Sequence, residues 1–267
     1  MNRLFDLADK VVVLTGAGGV LAGALVDYLL EQRVRLVALV RRPATLERLR
    51  NRYPDLELEL ADVLDGEALS RSCDRLLDRY GRLDGLINAA GGNQPGAVIR
   101  PDQTIFDVDL AAYDSVLKLN LQGTLLPTKI FVKAMLAAGK GSIVNFSSMA
   151  ASQPLSQVLG YGNAKAAVDN LTRALAVELA AKFGSAIRVN AIAPGFFIGN
   201  QNRTLLLNDD GSYTDRGRRV IAKTPLGRFG EAGEICGCVH YLLSDAASFV
   251  TGAILPVDGG FSASAGV

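Results

Sequence analysis

Residues 10–23 read KVVVLTGAGGVLAG: an apolar run of strand length, a turn of small residues, and the start of a helical pattern. A strand that feeds a helix through such a turn opens a βαβ unit, and the rest of the chain keeps that rhythm. Runs at 10–14, 35–40, 56–60, 85–88, 142–146, 187–192 and 254–257 have the length and content of strands. Helical patterns lie between them at 20–32, 45–52, 66–80, 110–138, 160–182 and 231–243. Parallel strands need such crossovers, and right-handed crossovers set helices on both faces of the sheet. The expectation is one α/β domain spanning residues 1–267, with a doubly wound, seven-stranded, mostly parallel sheet. Residues 196–225 break the rhythm with GNQNR, NDDGSY and TDRGRR. A long polar excursion after a strand end, where ligands bind in open α/β sheets, predicts a substrate lid.

Composition bounds the partners. The 267 residues are 49% hydrophobic, enough for a substantial core. Lys and Arg number 28 against 27 acidic residues, without long runs of one sign, which argues against nucleic acid and anionic membrane surfaces. Small molecules are the expected partners. Arg3, Asp6 and Asp9 interrupt the first ten residues, and no long uncharged apolar stretch follows, so a cytoplasmic protein is expected. Cys73, Cys236 and Cys238 match neither a zinc nor a redox spacing and read as inert thiols. The lone His240 lacks companions for a metal site and reads as structural, with no metal expected.

The opening turn suits a dinucleotide. Gly16, Ala17, Gly18 and Gly19 let backbone N–H groups approach a pyrophosphate at the positive end of the next helix, with Thr15, Val20 and Leu21 flanking them. At the end of the second strand, in VALVRRP, Val40 offers no carboxylate for an adenosine ribose. Arg41 and Arg42 can instead bind a 2′-phosphate, which favours NADP over NAD. Asp62 and Val63 follow the third strand, and Asn88, Ala89, Ala90 and Gly91 the fourth, where adenine and ribose would lie.

The chemistry sits in SIVNFSSMAASQPLSQVLGYGNAKAA. Tyr161 and Lys165 are four residues apart at a helix start, hence on one face. A nearby cation favours the phenolate of an otherwise weak acid. Ser148, at a strand end, can donate to a substrate oxygen that gains charge. Together they suit carbonyl reduction or alcohol oxidation.

The glycine turn, NAAG, LNLQGT, the serine pair, YGNAK and Pro194-Gly195, in that order, resemble the short-chain dehydrogenase/reductase family from about residue 9 to 260. The resemblance implies a Rossmann fold, NAD(P), and Pro194 and Gly195 at the cofactor. It implies Tyr161 as proton donor or acceptor, Lys165 as the group that lowers its pKa and bonds the nicotinamide ribose, and Ser148 as the carbonyl-orienting serine. Asn120 matches the asparagine that anchors a water chain to solvent. It also implies a homotetramer or homodimer, joined by helices matching 110–138 and 161–182 and by the C-terminal strand region. The departure is in the opening motif: a TGxxxGxG pattern would place glycines where this chain has Val20 and Ala22.

AAGGNQP, APGFFIGNQNR, LLLNDDGSYTDR, TPLGRFGE and VDGGFSASAGV resemble a narrower branch, the D-mannonate oxidoreductase or fructuronate reductase-like enzymes. Such a substrate would meet Asn93, Gln94, Ser148 and Tyr161, with Gln201, Asn202 and Arg203 on the lid. The leading expectation is an oxidoreductase interconverting a keto sugar acid and its hydroxy acid. A reductase of another carbonyl, such as a 3-oxoacyl thioester or simple keto sugar, is the alternative within enzymes. A non-catalytic dinucleotide-sensing module is the alternative outside them, and the intact Asn120, Ser148, Tyr161 and Lys165 set argues against it.

Overall fold

The computed structural model of the protein describes residues 3–199 and 202–264. Its strands are β1 (Val11–Thr15), β2 (Arg35–Val40), β3 (Glu57–Leu60), β4 (Gly85–Asn88), β5 (Gly141–Phe146), β6 (Ile187–Pro194) and β7 (Ile254–Val257). They form one seven-stranded sheet in the order β3-β2-β1-β4-β5-β6-β7, and every pairing is parallel. The expected doubly wound sheet is therefore present.

The apolar run of β1 is explained by cover on both faces. Val12 and Leu14 pack toward α1 (Val20–Glu31) and α9 (Cys236–Leu243). Val11 and Val13 pack on the opposite layer, with α3 (Gly66–Tyr80), α5 (Gly123–Ala137) and α6 (Leu159–Phe183). At the edge, β3 reads ELEL and is only partly buried. Its Glu57 and Glu59 are taken by Arg79 and Arg75, which places charge along an exposed strand edge and discourages pairing with other chains.

Between β2 and β4 the chain order reverses around β1. This switch point opens a crevice beyond the carboxyl ends of β1 and β4, the place where doubly wound sheets bind ligands. The helix α2 (Pro43–Arg52) lies beside it.

The pattern at 110–138 is divided. α4 (Leu110–Leu117) passes into a π-helical turn at Lys118–Gln122 before α5 begins. Pro127, within α5, has no N–H for the carbonyl one turn earlier, which weakens regular helix geometry there. Residues 196–225 hold α7 (Arg203–Leu206) and α8 (Asp215–Lys223), tied by a bridge between Leu207 and Tyr213. Leu206 and Val220 anchor the segment in a small apolar cluster with Met149 and Phe261.

His240 has structural partners. It shares a 2.9 Å hydrogen bond with the Tyr28 hydroxyl through Nδ1 and donates from Nε2 to the Phe5 carbonyl at 2.6 Å. Burial pushes the Cys73 and Cys236 thiols up to about 11, which keeps them protonated and unreactive. Among the described residues no helix is long and apolar enough to cross a membrane.

Candidate active site

The glycine turn is pressed against the end of β4. Gly16 adopts φ +68, and a Cβ there would lie 2.7 Å from Ala90 Cα. Thr15, fully buried, holds the approach: its Oγ1 accepts from the N–H groups of Ala89 and Ala90, both at 3.1 Å. Gly19 caps α1, and no side chain accepts from the first turn of that helix. The leading N–H groups, those of Val20 and Leu21 included, therefore remain for an anion. A close-packed turn, an uncapped helix end and a crevice beside them fit a dinucleotide pyrophosphate.

Val20, where the familiar motif has glycine, is 41% exposed. A Cβ on Gly199 would sit 3.6 Å from Val20 Cγ2, so the valine stands near the segment that follows β6.

At the end of β2, Arg41 is half exposed, with Nη1 3.8 Å from Asp62 Oδ2, while Arg42 caps α2. Arg48, which the sequence does not single out, reaches back from α2 to donate to the Gly18 carbonyl at 3.2 Å. Asp62 also accepts from the Leu64 N–H at 2.9 Å, and Val63 is buried facing Gly123. The Asn88 side chain points into the sheet layer, unlike its expected place at the adenosine. Its Nδ2 donates to Thr128 Oγ1 at 3.0 Å and Asn145 Oδ1 at 2.9 Å. Its amide N–H groups thus take partners from a neighbouring strand and helix and brace β4, while Oδ1 is buried without a protein partner among the described residues.

The four candidate catalytic residues converge above β4 and β5. Ser148 stands two residues beyond β5 and caps a 3-10 turn, with Oγ accepting from the Ala150 N–H at 3.2 Å. Tyr161 and Lys165 share a face of α6, the ammonium 5.5 Å from the ring centroid. Lys165, 3% exposed, donates to the Phe146 carbonyl at 2.7 Å. Asn120 lies in the π-helical turn, fully buried, and donates to the carbonyls of Gly92 and Val116, each at 2.8 Å. Gly91 is squeezed between the two: a Cβ there would lie 2.6 Å from Asn120 Oδ1 and 3.2 Å from Lys165 Nζ.

The electrostatics differ from the simple pairing of a phenol with a cation. Burial pushes the Tyr161 phenol up, against a smaller lowering by the Ser148 hydroxyl. Burial also brings Lys165 down to about 8, partly opposed by Asp169. Asp169 is one turn further along α6 and accepts from the Ser147 hydroxyl, so it lies behind the site. The sequence does not reveal it, because the contact crosses from helix to strand.

Substrate candidates are spread around the opening. Asn93 is half-buried and Gln94 exposed. Asn202 spends its side chain on its own loop, accepting from the Gly199 N–H and donating to the Phe197 carbonyl, both at 2.8 Å. Arg203 is exposed at the start of α7. Gln201 lies outside the described residues. Pro194 and Gly195 follow in β6 and just beyond it, Gly195 donating to the Val257 carbonyl at 2.9 Å.

Comparison with known proteins covers nearly the whole chain. Residues 18–262 match the family model described as Enoyl-(Acyl carrier protein) reductase. An uncharacterized oxidoreductase of Bacillus subtilis, UxuB, is 38% identical over 275 residues, covering 98% of each chain. A solved structure of a candidate D-mannonate oxidoreductase from Haemophilus influenzae, with bound NAD, aligns at a TM-score of 0.89 and 38% identity over 98% of both chains. A gluconate 5-dehydrogenase from Burkholderia cenocepacia, in complex with NADP and tartrate, aligns at 0.83 and 27% identity, again over 98% of both.

Proposed function

The chain belongs to the short-chain dehydrogenase/reductase family and is an NAD(P)-dependent oxidoreductase. From that premise we propose that it interconverts a keto sugar acid and its hydroxy acid. The observation that carries the chemistry is the convergence of Ser148, Tyr161 and Lys165 beside the crevice at β1 and β4, with Lys165 Nζ 5.5 Å from the phenol ring. The substrate class is supported by the resemblance to the D-mannonate and gluconate enzymes and by the polar side chains of residues 196–225.

Bound NAD(P)H supplies the hydride for reduction, and the oxidised form accepts it in the reverse direction. The Ser148 hydroxyl donates to the substrate oxygen and holds it beside Tyr161. As that oxygen gains negative charge, the Tyr161 phenol delivers its proton. Lys165 keeps two N–H groups beyond the one given to Phe146, and its charge steadies the phenolate left behind. Asn120 fixes the Gly92 backbone from both sides, accepting from its N–H and donating to its carbonyl, and in this reading it anchors the route by which the phenol regains a proton from solvent.

NADP is the favoured cofactor in this reading, through Arg41 and Arg42, with Arg48 close by. Assembly as a homodimer or homotetramer is supported by exposed apolar groups near the helices expected at the contact, Phe106 at 93%, Leu110 at 72% and Val177 at 71% exposure.

The test is a screen of NADH and NADPH oxidation against keto sugar acids, neutral keto sugars and 3-oxoacyl thioesters, run on the wild type and on Tyr161→Phe. Keto sugar acids are expected to turn over fastest. The variant should lose at least about a hundredfold in turnover while retaining cofactor affinity. Near-normal turnover in the variant overturns the role of Tyr161, and preference for a thioester overturns the substrate class.

A further inference from the structure

An open-mouthed cavity of about 440 Å³ lies on the segment carrying α7 and α8, where Gln157 of the loop joining Ser148 to Tyr161 meets it. Pockets for small ligands span roughly 300 to 1,000 Å³, so it is of a size for a sugar acid. Gln157, Asn208, Thr214, Arg216 and Arg218 are among its lining, together with one carboxylate, Asp215, which Arg218 neutralises. The cavity does not include Ser148 or Tyr161. Its link to them is Gln157, four residues before Tyr161, and Arg216, which donates to Ser156 Oγ at 3.2 Å and to the Ser156 carbonyl at 3.0 Å.

Two features single it out. Arg216 is half-buried, and among the described residues no carboxylate stands within ion-pair distance of it; the adjacent Asp215 is engaged by Arg218. Burial and the neighbouring Arg219 both act against its charge, so an incoming anion would relieve an existing electrostatic cost. Gln157, meanwhile, has φ 65, a left-handed conformation that costs a non-glycine residue free energy and that gathers at ligand sites.

We propose that this cavity receives the carboxylate end of the substrate, with Arg216 as the residue that recognises it and Gln157 bonding a hydroxyl next to it; Thr214 and Asn208 hold the wall in place through their own bonds to Leu205, Gly217 and Ser212. The proposal rests on the sugar-acid reading above. In a hexonate the carboxylate can lie several carbons from the reacting carbinol, so the cation that reads it belongs at a distance from Tyr161. A guanidinium matches a carboxylate with two parallel hydrogen bonds. Arg203, the arginine favoured by the sequence, does not line the cavity.

The test compares KM and kcat for fructuronate and for fructose, its uncharged counterpart, in the wild type, Arg216→Gln, Arg216→Lys and Ser156→Ala. Hydrogen bonds to charged groups are strong enough that Arg216→Gln should raise KM for fructuronate about 10- to 100-fold, with a smaller effect on kcat. The preference for fructuronate over fructose should fall by the same factor. Arg216→Lys should restore part of it, and Ser156→Ala, which keeps the cation and removes a hydroxyl acceptor, should leave it in place. If the wild type shows no preference for the acid, the sugar-acid reading itself fails. If the wild type prefers the acid and Arg216→Gln keeps that preference, or loses both substrates in equal proportion, the reading stands and Arg216 only latches α8 to the loop.

Discussion

Lys165 is a buried cation kept where the fold would be better off without it. The unfolded lysine titrates near 10.5 and the folded one at about 8. Below pH 8 both states hold the proton, and the folded state bears the whole cost of burying it, on the order of 3 kcal/mol at 1.36 kcal/mol per unit. Between pH 8 and 10.5 the folded state releases its proton first, so wild-type stability rises with pH. Lys165→Met is therefore expected to be more stable than the wild type in urea unfolding at pH 7, by about 2 to 3 kcal/mol, with the gap closing toward pH 10.5. The same variant should lose at least about a hundredfold in turnover. An unchanged gap across that pH range would show that Lys165 does not carry the charge. At the end of β2, Arg41→Ala should raise KM for NADPH by about tenfold relative to NADH, the worth of a charge-assisted contact. Equal changes for both cofactors would remove Arg41 from the 2′-phosphate site. Tyr161 and Lys165 were legible in the sequence because helical spacing alone puts them on one face. Asp169 behind Ser147, and Arg216 on Ser156, were not, since each contact joins residues that only the fold brings together.

At the scale of elements, the turn after β1 depends on a glycine that nothing else can replace. Gly16→Ala would force a Cβ to 2.7 Å from Ala90 Cα at φ +68, combining backbone strain with a clash against another main chain. Destabilisation of about 2 to 4 kcal/mol is expected in chemical denaturation, together with weaker NADPH binding by fluorescence titration. Retention of both would mean that β4 yields more readily than its pairing with β1 implies. The strands were readable because apolar runs bounded by turns have little freedom to be anything else once both faces are covered. The π-helical turn was not, because Leu119 and Leu121 carry the apolar content of 110–138 through it and nothing in the spacing announces a change of hydrogen-bond register. What marks it is Asn120, a polar residue whose amide finds carbonyls in two different segments. Residues 196–225 read as polar and irregular, yet Leu206 and Val220 suffice to seat two short helices.

For the whole molecule, the order of the sheet locates the site: the reversal at β1 creates the crevice, and every candidate catalytic residue lies at or above the carboxyl ends of β4 and β5 or on the helices after them. That topology followed from alternation and handedness. Its outer surface carries Phe106, Leu110, Val177 and the fully exposed Phe249, the first three on or near the helices expected at a contact between copies. Light scattering after size exclusion is expected to give two or four copies at micromolar concentration. A stable monomer would leave those groups without a role in self-association.

Val20 lies between two neighbourhoods, the turn that receives the pyrophosphate and Gly199 at the root of the segment before α7. A side chain that borders both places can make the two binding events thermodynamic partners. Whatever factor an occupied cofactor turn adds to substrate affinity, substrate must add to cofactor affinity in return. With glycine at position 20 that shared border would be absent and the two sites would fill more nearly independently, so the valine that departs from the familiar motif is a place where cofactor and substrate affinity can be coupled.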